Sequence, residues 1–155
     1  MKILVMSDTH GDTSAIDSVL REQTDINAVV HCGDVDDDSD YLAGHLPQMM
    51  PFVAVSGNND WFAQHPRFVC CTWGGVPFYI THGHMERVRS GHAGLVAAAQ
   101  AKKCRVALYG HTHRAVTVTE EGILLVNPGA LRYPDYSYAI VHIENGAPYA
   151  ELLKL

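Results

Sequence analysis

The stretch Lys2-Ile3-Leu4-Val5-Met6-Ser7-Asp8-Thr9-His10 decides the fold. Its apolar run over Lys2–Ser7 predicts a short buried strand, which gives way at once to an acid and a histidine two residues apart. The same pattern returns along the chain. Ala28–Cys32 ends at Gly33-Asp34, and Pro51–Ser56 ends at Gly57-Asn58-Asn59-Asp60. Val76–Thr81 runs into His82-Gly83-His84, and Arg105–Tyr109 runs into Gly110-His111-Thr112-His113. Apolar strands that each finish in polar, chemistry-bearing residues are what a buried sheet presents where its strands end.

Between these runs lie helical patterns. Thr13–Glu22 places Ile16, Val19 and Leu20 at helical spacing, and Gly91–Lys103 is alanine-rich. The acid run Asp36–Asp40 is expected to cap a short helix carrying Tyr41, Leu42 and Leu46. The second half reads mostly as hairpins. Arg67–Trp73 and Val76–Thr81 flank Gly74-Gly75, and strands over Val116–Thr119, Ile123–Val126, Tyr138–Ile143 and Tyr149–Leu153 follow, with Asn145-Gly146 turning between the last two. Alternating strand and helix followed by hairpins implies an α/β sandwich with two mixed sheets inside and helices outside. No boundary or internal repeat divides the chain, so a single domain over 1–155 is expected.

The 155 residues suffice for a hydrophobic core, with 47% hydrophobic and 18% charged residues. A net charge of −6 argues against a protein that coats nucleic acid, whereas bound dications would reverse the sign locally and admit an anionic substrate. The start of the chain shows no signal-peptide pattern, and no apolar run reaches membrane-spanning length. A cytoplasmic protein without membrane partners is expected. The four cysteines show no CxxC spacing and are expected reduced and mostly buried, with Cys70 and Cys71 pointing to opposite strand faces.

Asp8, His10, Asp34, Asn58, His82, His111 and His113 are oxygen or nitrogen donors suited to divalent transition metals. The D-x-H and H-x-H pairs are expected to put two donors on one side of an extended turn. Seven donors exceed the four of a structural zinc and suit two ions, with open positions for water and substrate. Taken singly, a strand-end aspartate is commonly a helix cap, and a Gly-Asp pair means little. The succession of all five is the specific signal.

At these residues the sequence resembles the calcineurin-like metallophosphoesterase superfamily, whose pattern is D-x-H, G-D, G-N-H-[D/E], H and G-H-x-H. The short chain and its THGH and GHTH forms are similar to the small YfcE-type phosphodiesterases of bacteria and archaea. The resemblance runs from Asp8 to Asn127-Pro128-Gly129, a turn expected to support the metal edge. It implies a four-layer α/β/β/α sandwich of the metallo-dependent phosphatase type. One metal would be held by Asp8, His10, Asp34 and His113, and the other by Asp34, Asn58, His82 and His111, with Asp34 bridging. It implies hydrolysis of a small phosphate ester by a metal-bridging hydroxide. Two divalent ions per chain are expected, manganese first, with nickel, cobalt, iron or zinc as alternatives.

Asn59 departs from the superfamily pattern, which has a phosphate-contacting histidine there. Asn59 can hydrogen-bond a phosphoryl oxygen but cannot donate a proton at neutral pH, so good leaving groups should be favoured. Asp60, which would orient that histidine, is left to hold Asn59 or a loop amide. Asn58, Asn59, Asp60 and His84 are therefore the candidates for catalysis beside the metals. His92 at a helix start is a weaker candidate, and His31 reads as a strand-core or supporting residue. His45, His65 and His142 are expected at the surface, and Trp61 and Phe62 in an aromatic core rather than at a pocket rim. The competing functions are a phosphomonoesterase on the same site, a DNA-processing nuclease and a non-catalytic scaffold. The nuclease would need DNA-binding parts that this acidic chain does not supply. The scaffold would resemble the small retromer subunit, whose metal pattern is degraded, whereas every ligand position here is filled. Apolar hairpin faces leave room for a homo-oligomer.

Overall fold

The computed structural model describes residues 1–155. Ten strands and three α-helices alternate along the chain. The strands are β1 (Lys2–Met6), β2 (Ala28–His31), β3 (Phe52–Ala54), β4 (Phe68–Trp73), β5 (Val76–Thr81), β6 (Val106–Leu108), β7 (Val116–Glu120), β8 (Ile123–Asn127), β9 (Ser137–Glu144) and β10 (Ala147–Lys154). The helices are α1 (Thr13–Glu22), α2 (Asp36–His45) and α3 (Ala93–Ala101), with a 3-10 turn at Val88–Ser90 before α3. One sheet has the order β10-β9-β1-β2-β3 and the other β4-β5-β6-β8-β7. β1, β2 and β3 are mutually parallel, as are β5, β6 and β8; β9 runs antiparallel to β1, and the hairpins β4–β5, β7–β8 and β9–β10 are antiparallel.

The continuous apolar run of β1 follows from burial on both faces. Ile3 and Val5 point into the space between the sheets, where they meet Val30, Phe78, Ile80 and Leu108. Leu4 and Met6 point the other way, onto Ile16 and Val19 of α1 and Leu42 of α2. On the second sheet, Tyr79, Ala107 and Leu125 pack against Leu95, Val96 and Ala99 of α3. Three apolar interfaces thus separate four layers, α/β/β/α, as expected. Asp12 caps α1 by accepting the Ala15 amide at 3.1 Å, which ends the Asp8 loop and starts the helix at Thr13.

Four expectations need correction. The acid run does not precede α2 but forms its first turn, where the helix dipole favours it. Asp36 and Asp38 within it are buried. Trp61 and Phe62 are not core residues; they are 88% and 92% exposed. His142 is buried rather than superficial, stacked on Tyr149 with ring centroids 4.6 Å apart. Only Cys32 and Cys104 are buried, because Cys70 and Cys71 alternate on the edge strand β4 and leave Cys70 exposed.

Phe78 is fully buried between the sheets and meets Trp73 edge-to-face, 5.4 Å between centroids. Phe78→Ala is expected to lower stability by about 3–5 kcal/mol in urea unfolding, because the two sheets cannot close over the void.

Candidate metal centre

The carboxyl ends of β1, β2, β3, β5 and β6 meet along one margin of the sandwich. The Asp8 amide donates to the Gly33 carbonyl at 3.0 Å, joining the first two donor loops. The Gly110 amide donates to the His82 carbonyl at 3.1 Å, joining the last two. Across the sheets, His82 Nδ1 donates to the Cys32 carbonyl at 2.7 Å, and the His111 amide donates to Asp8 Oδ2 at 3.0 Å. The approach is too close for side chains. A Cβ on Gly57 would lie 1.8 Å from Asp34 Oδ1, and one on Gly110 would lie 1.9 Å from Ser7 Oγ. These two glycines are what let the carboxylates face the loops from the opposite side.

All seven candidate ligands come to this margin. Asp8, His10 and His113 offer one ligand atom each within 4.8 Å of one another, and so do Asp8, Asp34 and His82. His113 Nε2 is 3.1 Å from Asp8 Oδ1 and 3.4 Å from His10 Nε2. His82 Nε2 is 3.6 Å from Asp34 Oδ2 and 3.1 Å from Asn58 Oδ1. The His111 ring lies 5.1 Å from that of His82, and the His84 ring 5.5 Å from the same ring.

The route to this convergence differs from the extended turn expected of D-x-H and H-x-H. Asp8, His10, His111 and His113 all have positive φ, between 47° and 68°. Left-handed backbone, not strand alternation, turns these side chains inward. The H-x-H pair also divides: His113 meets Asp8 and His10, whereas His111 meets His82. The carboxylate common to both tight groups is Asp8, where the resemblance assigned the bridging place to Asp34. Asp34 is drawn toward Asn59, whose amide donates to Oδ1 at 3.0 Å and whose Nδ2 donates to Oδ2 at 2.6 Å.

These residues fit cations. Asp8 is wholly buried; Oδ2 accepts the Ser7 hydroxyl at 2.6 Å as well as the His111 amide, yet Oδ1 has no hydrogen-bond donor. His113 Nε2 stands close to Oδ1 without the geometry of a hydrogen bond. A buried anionic oxygen beside two imidazole nitrogens, at 3.1 and 4.0 Å, requires positive charge, from a protonated ring such as His113 or from a cation that the rings would ligate. Burial works to raise the Asp8 carboxyl pKa, but His113, His82 and Ser7 outweigh it and hold the group below the ordinary value. Donation by His82 Nδ1 to a carbonyl fixes the tautomer that leaves Nε2 free for a metal. Burial, with His82 and Arg89 nearby, pushes His111 down to about 4, so its ring is neutral and ligand-competent.

A second tier of side chains holds the loops, and little in the local sequence marks it. Thr9 donates to Asp38 Oδ2 at 2.5 Å, Asp38 also accepts the Gly11 amide, and His31 Nε2 contacts Thr9 Oγ1 at 3.1 Å. Asp60 takes three main-chain amides, those of Gly57, Asp34 and Asp36, and so ties the Asp34 and Asn58 loops together. Asn127 Nδ2 donates to the Gly110 carbonyl at 2.8 Å and to Thr112 Oγ1 at 3.0 Å, which anchors the H-x-H loop to β8. His92 sits outside the cluster, bonded to Glu120 and Tyr109. No helix is long and apolar enough to cross a membrane.

A four-layer sandwich whose strand ends gather imidazoles and carboxylates around an unpaired buried oxygen defines a metal-dependent phosphoesterase. The chain belongs to the calcineurin-like phosphoesterase superfamily, whose domain model matches residues 1–146. It is 29% identical over 152 residues to a Bacillus subtilis protein named "probable metallophosphoesterase YsnB", covering 95% of this chain and 87% of that one. It is 30% identical over 150 residues to a phosphodiesterase of Methanocaldococcus jannaschii, covering 83% of each. A Streptococcus pneumoniae structure described as a predicted phosphoesterase superposes with a TM-score of 0.80 at 29% identity, over 99% of this chain and 88% of that one. Vps29 of Chaetomium thermophilum shares the fold, with a TM-score of 0.77 at 19% identity over 100% and 95% of the two chains.

His31 is fully buried, and that burial pushes its pKa from 6.5 down to about 4. Between those values the unfolded chain takes up a proton that the folded chain refuses, so stability falls as pH drops. Urea unfolding of metal-stripped protein is expected to show about 1.6 kcal/mol of loss from this group between pH 6.5 and 5. That part of the pH slope should vanish in His31→Gln.

Proposed function

We propose that the protein is a phosphodiesterase working with two divalent transition-metal ions. Asp8, His10 and His113 would hold one ion, and Asn58, His82 and His111 the other, with the Asp34 and Asp8 carboxylates between them. The observation that carries this is the buried Asp8 carboxylate, common to two donor groups, whose Oδ1 has no hydrogen-bond donor. Bound there, a pair of dications lowers the pKa of water toward neutrality and offsets charge on phosphoryl oxygens. Mixed imidazole and carboxylate donors favour manganese, nickel, cobalt, iron or zinc over magnesium or calcium, and manganese is the first choice.

The chain's own residues supply orientation. Ser7 and the His111 amide fix the Asp8 carboxylate, and the Cys32 carbonyl fixes the His82 ring. Asn59 is exposed and, with one Nδ2 hydrogen spent on Asp34, can offer the other to a phosphoryl oxygen, while His84 stands beside His82 and His111 with a buried Nδ1 lacking a partner. Neither arrangement supplies a strong acid for a poor leaving group, which favours activated esters. Diester preference draws support from the M. jannaschii relative, which is named a phosphodiesterase.

Asp8→Asn is expected to lose bound metal by elemental analysis and at least about a thousandfold in hydrolysis of bis(4-nitrophenyl) phosphate with manganese. Unchanged metal content and rate would leave the scaffold reading, with which the Vps29 fold similarity is compatible. A faster rate on 4-nitrophenyl phosphate than on the diester would make the protein a phosphomonoesterase.

Asn59→His is expected to raise the rate on alkyl leaving groups by about a hundredfold, with a smaller gain on aryl esters. Equal rates on every ester would separate Asn59 from leaving-group departure.

A further inference from the structure

A cleft of about 500 Å³ opens beside the H-x-H loop and is lined in part by Arg89, Thr112 and Arg114. Its back wall carries His92 and Tyr109, with Val116 on the side. The size is that of a site for a nucleoside-sized molecule. Its charge is unusual for this chain, whose net charge is −6. Arg89 and Arg114 are exposed, and neither takes part in any ion pair. Glu120, the carboxylate behind the wall, is engaged by His92 Nδ1 at 2.7 Å, and His92 Nε2 accepts the Tyr109 hydroxyl at 2.8 Å. The wall's polar groups therefore satisfy one another, and the Arg114 guanidinium and the N–H groups of Arg89 not spent on the His111 carbonyl remain for an incoming ligand.

Thr112 adds a directed donor. Its Oγ1 accepts from Asn127 Nδ2 at 3.0 Å and from the Arg114 amide at 3.3 Å, which leaves its own hydroxyl hydrogen free to donate. Its two arginines tie the cleft to the H-x-H loop. Arg114 follows His113 directly, and Arg89 Nη2 donates to the main-chain carbonyl of His111 at 3.4 Å. Adjacent Cα atoms are about 3.8 Å apart, so the Arg114 side chain springs from beside a metal ligand.

We infer that this cleft receives a second phosphate group on the substrate, held by Arg89, Arg114 and the Thr112 hydroxyl while the reacting ester faces the metal ligands. The inference rests on the phosphodiesterase reading and names the substrate class: phosphodiesters that carry a pendant phosphomonoester about one sugar away from the scissile bond. Arginine suits this task because its planar fork can place two N–H groups on phosphate oxygens. Arg89 and Arg114 are specificity-determining residues in this scheme.

The thymidine dinucleotides pTpT and TpT contain the same scissile diester and differ in the terminal phosphate. With manganese-loaded protein, kcat/KM for pTpT is expected to exceed that for TpT by about tenfold. The ratio should fall to about one in Arg114→Ala or Arg89→Ala, and below one in Arg114→Glu, where the sign is reversed. Inorganic phosphate titrated into metal-stripped protein in EDTA should shift the Nε–H resonances of Arg89 and Arg114 saturably, a readout independent of turnover. No shift at either arginine overturns the inference whether or not any ester is cleaved. Phosphate shifts without a pTpT preference also overturn it, because the cleft would then take free phosphate alone. Failure to cleave pTpT, TpT and bis(4-nitrophenyl) phosphate with any metal overturns both the phosphodiesterase reading and the substrate assignment. Cleavage of all three with a pTpT to TpT ratio unchanged by Arg114→Glu overturns only the inference.

Discussion

The structure is organised around one buried carboxylate. Asp8 lies at the end of a strand sealed on both faces, and its side chain is fully removed from water. One of its oxygens is met by Ser7 and by the amide of His111, a residue more than a hundred positions away. The other is met by no hydrogen bond. An ionised carboxylate half-satisfied in the interior is tolerable only where positive charge can reach it. His113 from the H-x-H loop and His10 from the same loop as Asp8 face that oxygen at 3.1 and 4.0 Å, and the two-sheet architecture brings those loops together.

Holding the loops is a separate task from supplying the ligands, and different residues do it. Asp38 in the first turn of α2 and His31 at the end of β2 brace the first loop through Thr9, Asp60 fastens two loops through three amides, and Asn127 fixes the last one to β8. These side chains sit on or next to regular elements whose own positions are set by the three apolar interfaces. Ligand geometry is thus inherited from the packing of the sandwich through short polar links.

The architecture could be read from the sequence because its strands are buried on both sides. An unbroken apolar run such as Ile3–Met6, with an acid two residues beyond it, suits a doubly covered strand that ends at a polar margin. Its recurrence placed five loops on that margin. The ligand types were equally legible, since aspartate and histidine at strand ends have an obvious chemistry. The supports were not. Asp36 and Asp38 look like any acidic helix start, and only the folded chain shows that they are buried against Ser56 and Thr9. Alternation correctly split Cys70 from Cys71 but failed for D-x-H and H-x-H, because left-handed φ values do not announce themselves in aspartate and histidine. Trp61 and Phe62 were misplaced for a similar reason: aromatic residues usually fill cores, and nothing local marks the loop that holds these two in solvent.

The left-handed conformation of five candidate ligands has a cost that falls on the fold itself. An L-residue in that region is disfavoured by about 1–2 kcal/mol relative to its ordinary conformations, whereas glycine is not. Asp8, His10, Asp34, His111 and His113 therefore occupy positions where backbone preference alone would favour glycine. A descendant of this chain that no longer needed its metals would gain robustness by shedding these side chains. The loss of such residues from a lineage would then record relaxed catalytic demand rather than decay of the scaffold.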